Sequence, residues 1–340
     1  MINFDTDYMA GAHPKVMQAL AETNLQNTIG YGEDDYCRRA RKLILEQCRA
    51  TDSHEVHFLI GGTQTNATFI DAMLRPSQAV IAADTAHINV HEAGAIENGG
   101  HRIYTLPNHQ GKICPDELRA FLQNFYADDT WTHMSIPGLV YITCPSEYGT
   151  LYSLSELKQI AEICHEYHLP LYIDGARMAY ALAAQPEITL ADLAQIADAF
   201  YIGGTKCGLL FGEALVCRKE LLPNFFTIMK AHGAVMAKGR LLGLQFLTLF
   251  TDGLYYEIGR QAVALAQQLR QAFITAGHKV AVDSPTNQQF FYLENEVIDR
   301  LTQFASFEYW GPRGTTHSTV RFVTSWATKP EEVEQFIQSL

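Results

Sequence analysis

Six short apolar runs, each closed by turn residues and followed by a helix-like stretch, occupy residues 55–60, 78–83, 102–106, 138–143, 169–173 and 198–202. Strand-length runs that alternate with amphipathic segments such as 155–167 predict a mostly parallel sheet with helices on both faces. A seventh run at 212–217 reads as an added antiparallel strand. Residues 221–275 read as mostly helical. The character then changes: 279–282, 289–292, 307–310 and 319–323 read as short strands, and 330–340 as a closing helix capped by Thr328. The fold class is therefore α/β, with a large domain at 14–245 and a smaller α+β domain formed by 1–13 and 246–340. In open sheets of this kind the binding crevice lies at the carboxyl ends of the strands.

Composition narrows the function classes. Of 340 residues, 47% are apolar and 18% charged, as in globular proteins. A net charge of −12 argues against general nucleic-acid binding, which needs clustered Lys and Arg. No apolar run is long enough to cross a bilayer, so no membrane role is expected. The start has neither a basic nor an apolar secretion region, which predicts a cytoplasmic protein. The seven cysteines are scattered with no Cys-x-x-Cys unit, and the thirteen histidines show no ligand spacing, so no metal is expected.

The chemistry concentrates at strand ends. Asp174 closes Leu-Tyr-Ile-Asp174-Gly-Ala-Arg177, and Lys206 follows Tyr-Ile-Gly-Gly-Thr205. A carboxylate and a loop lysine so placed suit pyridoxal 5'-phosphate (PLP). The lysine forms a Schiff base with the cofactor aldehyde, and the acid keeps the pyridine nitrogen protonated. Gly61-Gly62-Thr63 between a strand and a helix makes a phosphate cup, because helix N-termini offer free N–H groups to anions. His87 follows another strand end, where its ring can stack on a flat cofactor; His91 and Glu92 come next and are candidates for the same cleft. Arg321, in an apolar run, is the candidate anchor for a substrate carboxylate, and Arg177 the second. Tyr31-Gly-Glu-Asp34 reads as a loop closing over a site.

In combination these residues resemble the threonine aldolase and β-eliminating lyase family, PLP enzymes of the aspartate aminotransferase fold (fold type I). The likeness runs through Phe4-Asp-Thr6-Asp7, Tyr31-Gly-Glu-Asp34, Gly61-Gly-Thr-Gln-Thr-Asn66, His87-Ile with Glu92-Ala-Gly94, Ile173-Asp-Gly-Ala-Arg177, Lys206 and Val320-Arg-Phe-Val-Thr-Ser-Trp326. The resemblance implies retro-aldol cleavage of β-hydroxy-α-amino acids, L-threonine and L-allo-threonine giving glycine and acetaldehyde. β-Elimination or transamination of a small amino acid is the alternative. It implies Lys206, His87 and Asp174 as catalytic residues, and Gly62, Thr63, Arg177 and Thr205 as further cofactor contacts. It implies Thr6, Arg177, Arg321 and Tyr31 around the substrate. It also implies a homodimer or homotetramer with sites at the dimer interface, Tyr31 reaching the partner's site. Two departures stand out. The family's Glu-Asn-Thr-His is absent: Cys144 stands roughly where the histidine would, with Glu147 nearby. The usual Ser-Lys-Gly reads Thr205-Lys206-Cys207.

Overall fold

The computed structural model describes residues 1–340. In chain order its first eight strands are β1 (Ile2–Asn3), β2 (His54–Leu59), β3 (Gln78–Ala83), β4 (Arg102–Leu106), β5 (Ile136–Thr143), β6 (Leu171–Asp174), β7 (Ala199–Gly203) and β8 (Glu213–Arg218). Seven of them form one sheet in the order β2-β8-β7-β6-β5-β3-β4. Strand β8 runs antiparallel to both of its neighbours, and every other neighbouring pair is parallel. The inner strands are apolar because both faces are covered: every residue of β6 and β7 is buried. Helices connect the parallel strands, and local chemistry starts them. Ser153 and Glu156 form a capping box for Leu154–Glu166, as Thr189 and Asp192 do for Leu190–Ile196.

The remaining strands are β9 (Lys279–Val282), β10 (Gln288–Glu294), β11 (Ala305–Ser306), β12 (Glu308–Tyr309) and β13 (His317–Val323). Four of them form an antiparallel sheet, β12-β13-β10-β9. The expected strand at 307–310 shortens to β12, and a separate two-residue strand, β11, precedes it. Phe307 packs on Phe322, with β11 on one side of it and β12 on the other. Strand β11 pairs in parallel with β1, so the N-terminal residues pack against the C-terminal part of the chain. Phe4 joins Phe273, Phe291, Phe322 and Phe336 in an aromatic core of their own. Helix Leu254–Thr275 serves both cores: Tyr255 and Ile258 pack into the large one, Leu269 and Phe273 into the small one.

Thr328 does not cap the last helix. Helix Pro330–Ile337 has Lys329 as its N-cap residue, and Glu332 accepts the Lys329 N–H at 3.1 Å. The Thr328 hydroxyl instead accepts the Ser325 N–H at 2.9 Å, closing the preceding turn. No helix is long and apolar enough to cross a membrane.

Candidate active site

The carboxyl ends of β2, β6 and β7 meet around a cavity of about 310 Å³ lined by Gly61, Gly62, Thr63, His87, Glu147, Asp174, Thr205 and Lys206. Helix Gly62–Met73 opens on it. The first N–H groups of a helix have no intrahelical acceptor, so they are available to an anion. A Cβ on Gly62 would stand 3.0 Å from the Tyr201 hydroxyl; glycine leaves that cradle open.

Asp174 is nearly sealed and held from three sides. Its Oδ2 accepts from Asn66 Nδ2 at 3.0 Å and from the Tyr141 hydroxyl at 2.5 Å, and its Oδ1 accepts the Ala176 N–H at 3.0 Å. Asn66 is oriented in turn: its Oδ1 accepts from the Tyr172 hydroxyl at 3.0 Å, and Nδ2 also donates to Glu92 Oε1 at 2.8 Å. The same Glu92 oxygen meets His87 Nδ1 at 2.7 Å. Burial opposes charge on His87, but the bond to Glu92 and the nearby carboxylates of Glu147 and Asp174 outweigh it and raise its pKa. His91, expected beside Glu92, is exposed, and only Glu92 turns inward.

The backbone of Lys206 is fixed by the Tyr180 hydroxyl, which donates to its carbonyl at 2.6 Å. Thr205 donates its hydroxyl to Glu213 Oε1 at 2.8 Å and accepts the Gly212 N–H at 3.1 Å. Glu213 also takes the Gly204 N–H at 3.0 Å. Burial pushes the Glu213 carboxyl up to about 8 despite these donors. A buried acid beside Thr205 was not anticipated; its only mark in the sequence is a charge directly before the apolar run Ala214–Cys217.

Arg177 is buried, with Asp7 gripping its Nε and Nη2 and leaving Nη1 without a partner in the chain. The hydroxyl of Thr6, the residue before Asp7, is buried without a hydrogen-bond partner. Arg321 is buried but does not line the cavity: Nη1 donates to Gln288 Oε1 at 2.9 Å, Nη2 pairs with Glu308, and the guanidinium lies 4.9 Å from the Trp310 ring centre. Trp310 meets Tyr148, the residue after Glu147. Tyr31 also stands apart, half-exposed against Lys230 and lining a separate cavity of about 360 Å³. A single chain therefore gathers Gly62, Thr63, His87, Asp174, Thr205 and Lys206, and does not bring Arg321 or Tyr31 to them. Cys144 is buried in the core, its thiol pushed up to about 12 by burial, while Glu147 faces the cavity.

Asn66, Tyr141 and Glu213 are among the site neighbours that sequence reasoning missed, as are the cavity-lining Tyr8 and Tyr201. Asn66 carried a signal, four residues after Gly62 and so on the same helix face. Tyr141 and Glu213 depend on which strands become neighbours. Elsewhere, Glu55, His57 and Cys217 place ligand-type atoms within 4.8 Å of one another on the paired strands β2 and β8, but His57 Nε2 already bonds Glu55 there at 2.9 Å.

A buried acid, a strand-end lysine and an open helix N-terminus around one cavity form a donor set that accommodates a flat, phosphorylated aldehyde. Comparison with known proteins agrees. The chain is 40% identical to a Leishmania major threonine aldolase whose structure superposes with a TM-score of 0.95, over 99% of this chain and 98% of that one. A low-specificity L-threonine aldolase from a Pseudomonas strain is 28% identical, over 98% of this chain and 95% of its own. A putative L-allo-threonine aldolase from Listeria monocytogenes shares the fold at 17% identity, with a TM-score of 0.76. The sequence profile of the β-eliminating lyases matches residues 3–296, and the chain belongs to that family.

Proposed function

We propose that this protein is a PLP-dependent aldolase that cleaves L-threonine and L-allo-threonine to glycine and acetaldehyde. The observation that carries the reading is the convergence of Asp174, Lys206 and the Gly62 helix start on one cavity, in a chain 40% identical to a threonine aldolase. Gly62 and Thr63 would hold the phosphate, Lys206 would make the covalent link, Asp174 would serve the ring nitrogen and His87 would stack on the ring; Thr205, expected at the phosphate, has given its hydroxyl to Glu213 and its N–H to the Gly212 carbonyl and would act by fixing the loop before Lys206. Bound there, the cofactor supplies an electron sink for the pair released at Cα.

The protein's own groups do the rest. Arg177, held in place by Asp7, offers its free Nη1 to the substrate carboxylate, and the unpartnered hydroxyl of Thr6, the residue before Asp7, is a second donor for it. Arg321 joins them by exchanging Glu308, a half-exposed carboxylate in its fork, for that of the substrate. Tyr31 completes the site from a second copy of the chain, as a homodimer or homotetramer. Residues 14–245 act as the cofactor-binding domain, with 1–13 and 246–340 as the smaller one. Seven unpaired cysteines support a reducing, cytoplasmic setting.

The test is purified protein with added PLP and L-threonine, with acetaldehyde and glycine assayed together. Equal amounts of both products support the reading. A keto acid instead would mean transamination, and release of a β-substituent without glycine would mean elimination.

A further inference from the structure

If the protein is the aldolase proposed here, cleaving the Cα–Cβ bond of a β-hydroxy amino acid needs a group that takes the hydroxyl proton. Most polar groups around the cavity are already committed. Asp174 has three donors on its two oxygens, and Glu213 is occupied by Thr205 and Gly204. His87 is tied through Nδ1 to Glu92. Burial keeps the Tyr201 phenol protonated, its pKa pushed well up. Lys206 is reserved for the cofactor. Tyr8 is half-exposed, its ring centre 5.9 Å from the Lys206 ammonium.

Glu147 is different. It lines the cavity half-buried, yet its carboxylate has no hydrogen bond or ion pair within the chain. The turn that carries it is rigid. Ser146 N–H donates to the Thr150 carbonyl at 2.9 Å, Gly149 N–H to the Ser146 carbonyl at 2.8 Å, and the Ser146 and Thr150 hydroxyls meet at 2.6 Å. From the loop between β9 and β10, Ser284 donates to the Gly149 carbonyl at 3.1 Å. An uncommitted carboxylate on a fixed turn, opposite a lysine, is placed to act rather than to stabilise. The charges facing it are His87 after β3, Asp174 at the end of β6, Arg177 just beyond, and Lys206 after β7.

We propose that the carboxylate of Glu147 is the base that takes the β-hydroxyl proton. As that O–H bond breaks, the proton passes to Glu147, the aldehyde C=O forms and the Cα–Cβ bond opens. The pair left on Cα later takes up one proton there, giving glycine. One proton leaves oxygen and one arrives at carbon, so no oxidant or further reactant is needed.

The experiment compares wild type, Glu147→Gln and Glu147→His, with His87→Gln as a control for the neighbouring imidazole. Glu147→Gln is expected to bind PLP with wild-type affinity by titration, and to exchange the Cα proton of glycine in D₂O, a reaction with no β-hydroxyl. Threonine cleavage is expected to fall by about 10²–10⁴, the usual contribution of a positioned acid–base group. Glu147→His, which keeps a proton acceptor at the turn, is expected to regain part of the cleavage with the acidic limb of its pH–rate profile moved upward. Cleavage by Glu147→Gln within about threefold of wild type overturns the proposal, as does a loss of glycine exchange equal to the loss of cleavage. Loss in His87→Gln alone would transfer the role to His87. A wild-type protein that releases no acetaldehyde would instead overturn the aldolase reading itself.

Discussion

Asp7 and Arg177, 170 residues apart in sequence, are joined by two parallel hydrogen bonds, Oδ2 to Nε at 2.6 Å and Oδ1 to Nη2 at 3.0 Å. The pair ties the N-terminal segment to the turn after Asp174 and aims the remaining nitrogen of the guanidinium. Burial of Asp7 works against its charge, but Arg177, Lys206 and the Asn287 amide outweigh burial and hold the carboxyl below its ordinary 3.8. Its contribution to stability is therefore complete above pH 3.8 and is lost as pH falls below that value. Asp7→Ala leaves a buried cation uncompensated and is expected to cost about 3–5 kcal/mol in urea denaturation. A loss under about 1 kcal/mol would mean that solvent reaches Arg177.

Lys206→Ala is expected to remain folded, with a cooperative melt, and to lose threonine cleavage by at least about a hundredfold. Borohydride reduction of the PLP-loaded wild type should add the reduced cofactor's mass to the peptide containing Lys206. Label on a different lysine, or a cleavage rate close to wild type in the variant, would refute the assignment.

Arg321→Ala tests whether its fork changes partners. If Glu308 only holds the place of the substrate carboxylate, KM for threonine should rise about 10- to 100-fold, matching the roughly 1.5–3 kcal/mol of hydrogen bonds to a charged group. The released Glu308 is 39% exposed and can turn to water. The buried Gln288 carbonyl loses a donor, so a destabilisation of about 1–3 kcal/mol should accompany the KM effect. The same destabilisation with an unchanged KM would make Arg321 a structural residue.

Glu213 predicts a pH dependence of the cofactor-free protein. Its carboxyl titrates near 8 in the fold against 4.5 ordinarily, so the folded state binds the proton more tightly. That contribution is complete below pH 4.5 and is lost as pH rises through about 8, a change on the order of a few kcal/mol. Glu213→Gln should flatten the decline between pH 6 and pH 8 in urea denaturation. An equal decline in both proteins would show that Glu213 is ionised at neutral pH.

Much of this architecture is local in origin and was legible from the chain. The runs at 78–83 and 102–106 are strands β3 and β4 to the residue, because a strand-length run bounded by turn residues specifies a strand without reference to its partners; the sheet order decided that β3 is buried and β4 is a largely uncovered edge. Asp174, Lys206 and the Gly61-Gly62-Thr63 turn were legible for the same reason: a strand end is a local feature, and a parallel sheet puts all its strand ends on one edge. Thr328 shows the limit even at short range, since its hydroxyl had two turns to choose between and took the earlier one. The tertiary structure alone decided which polar groups are already satisfied. It closed Asp7 on Arg177, Glu308 on Arg321 and Glu213 on Thr205, and left Glu147 free. The first contact joins segments 170 residues apart and the next two depend on strand pairing, β12 with β13 and β7 with β8, and the strength of a charge in a protein depends on what surrounds it.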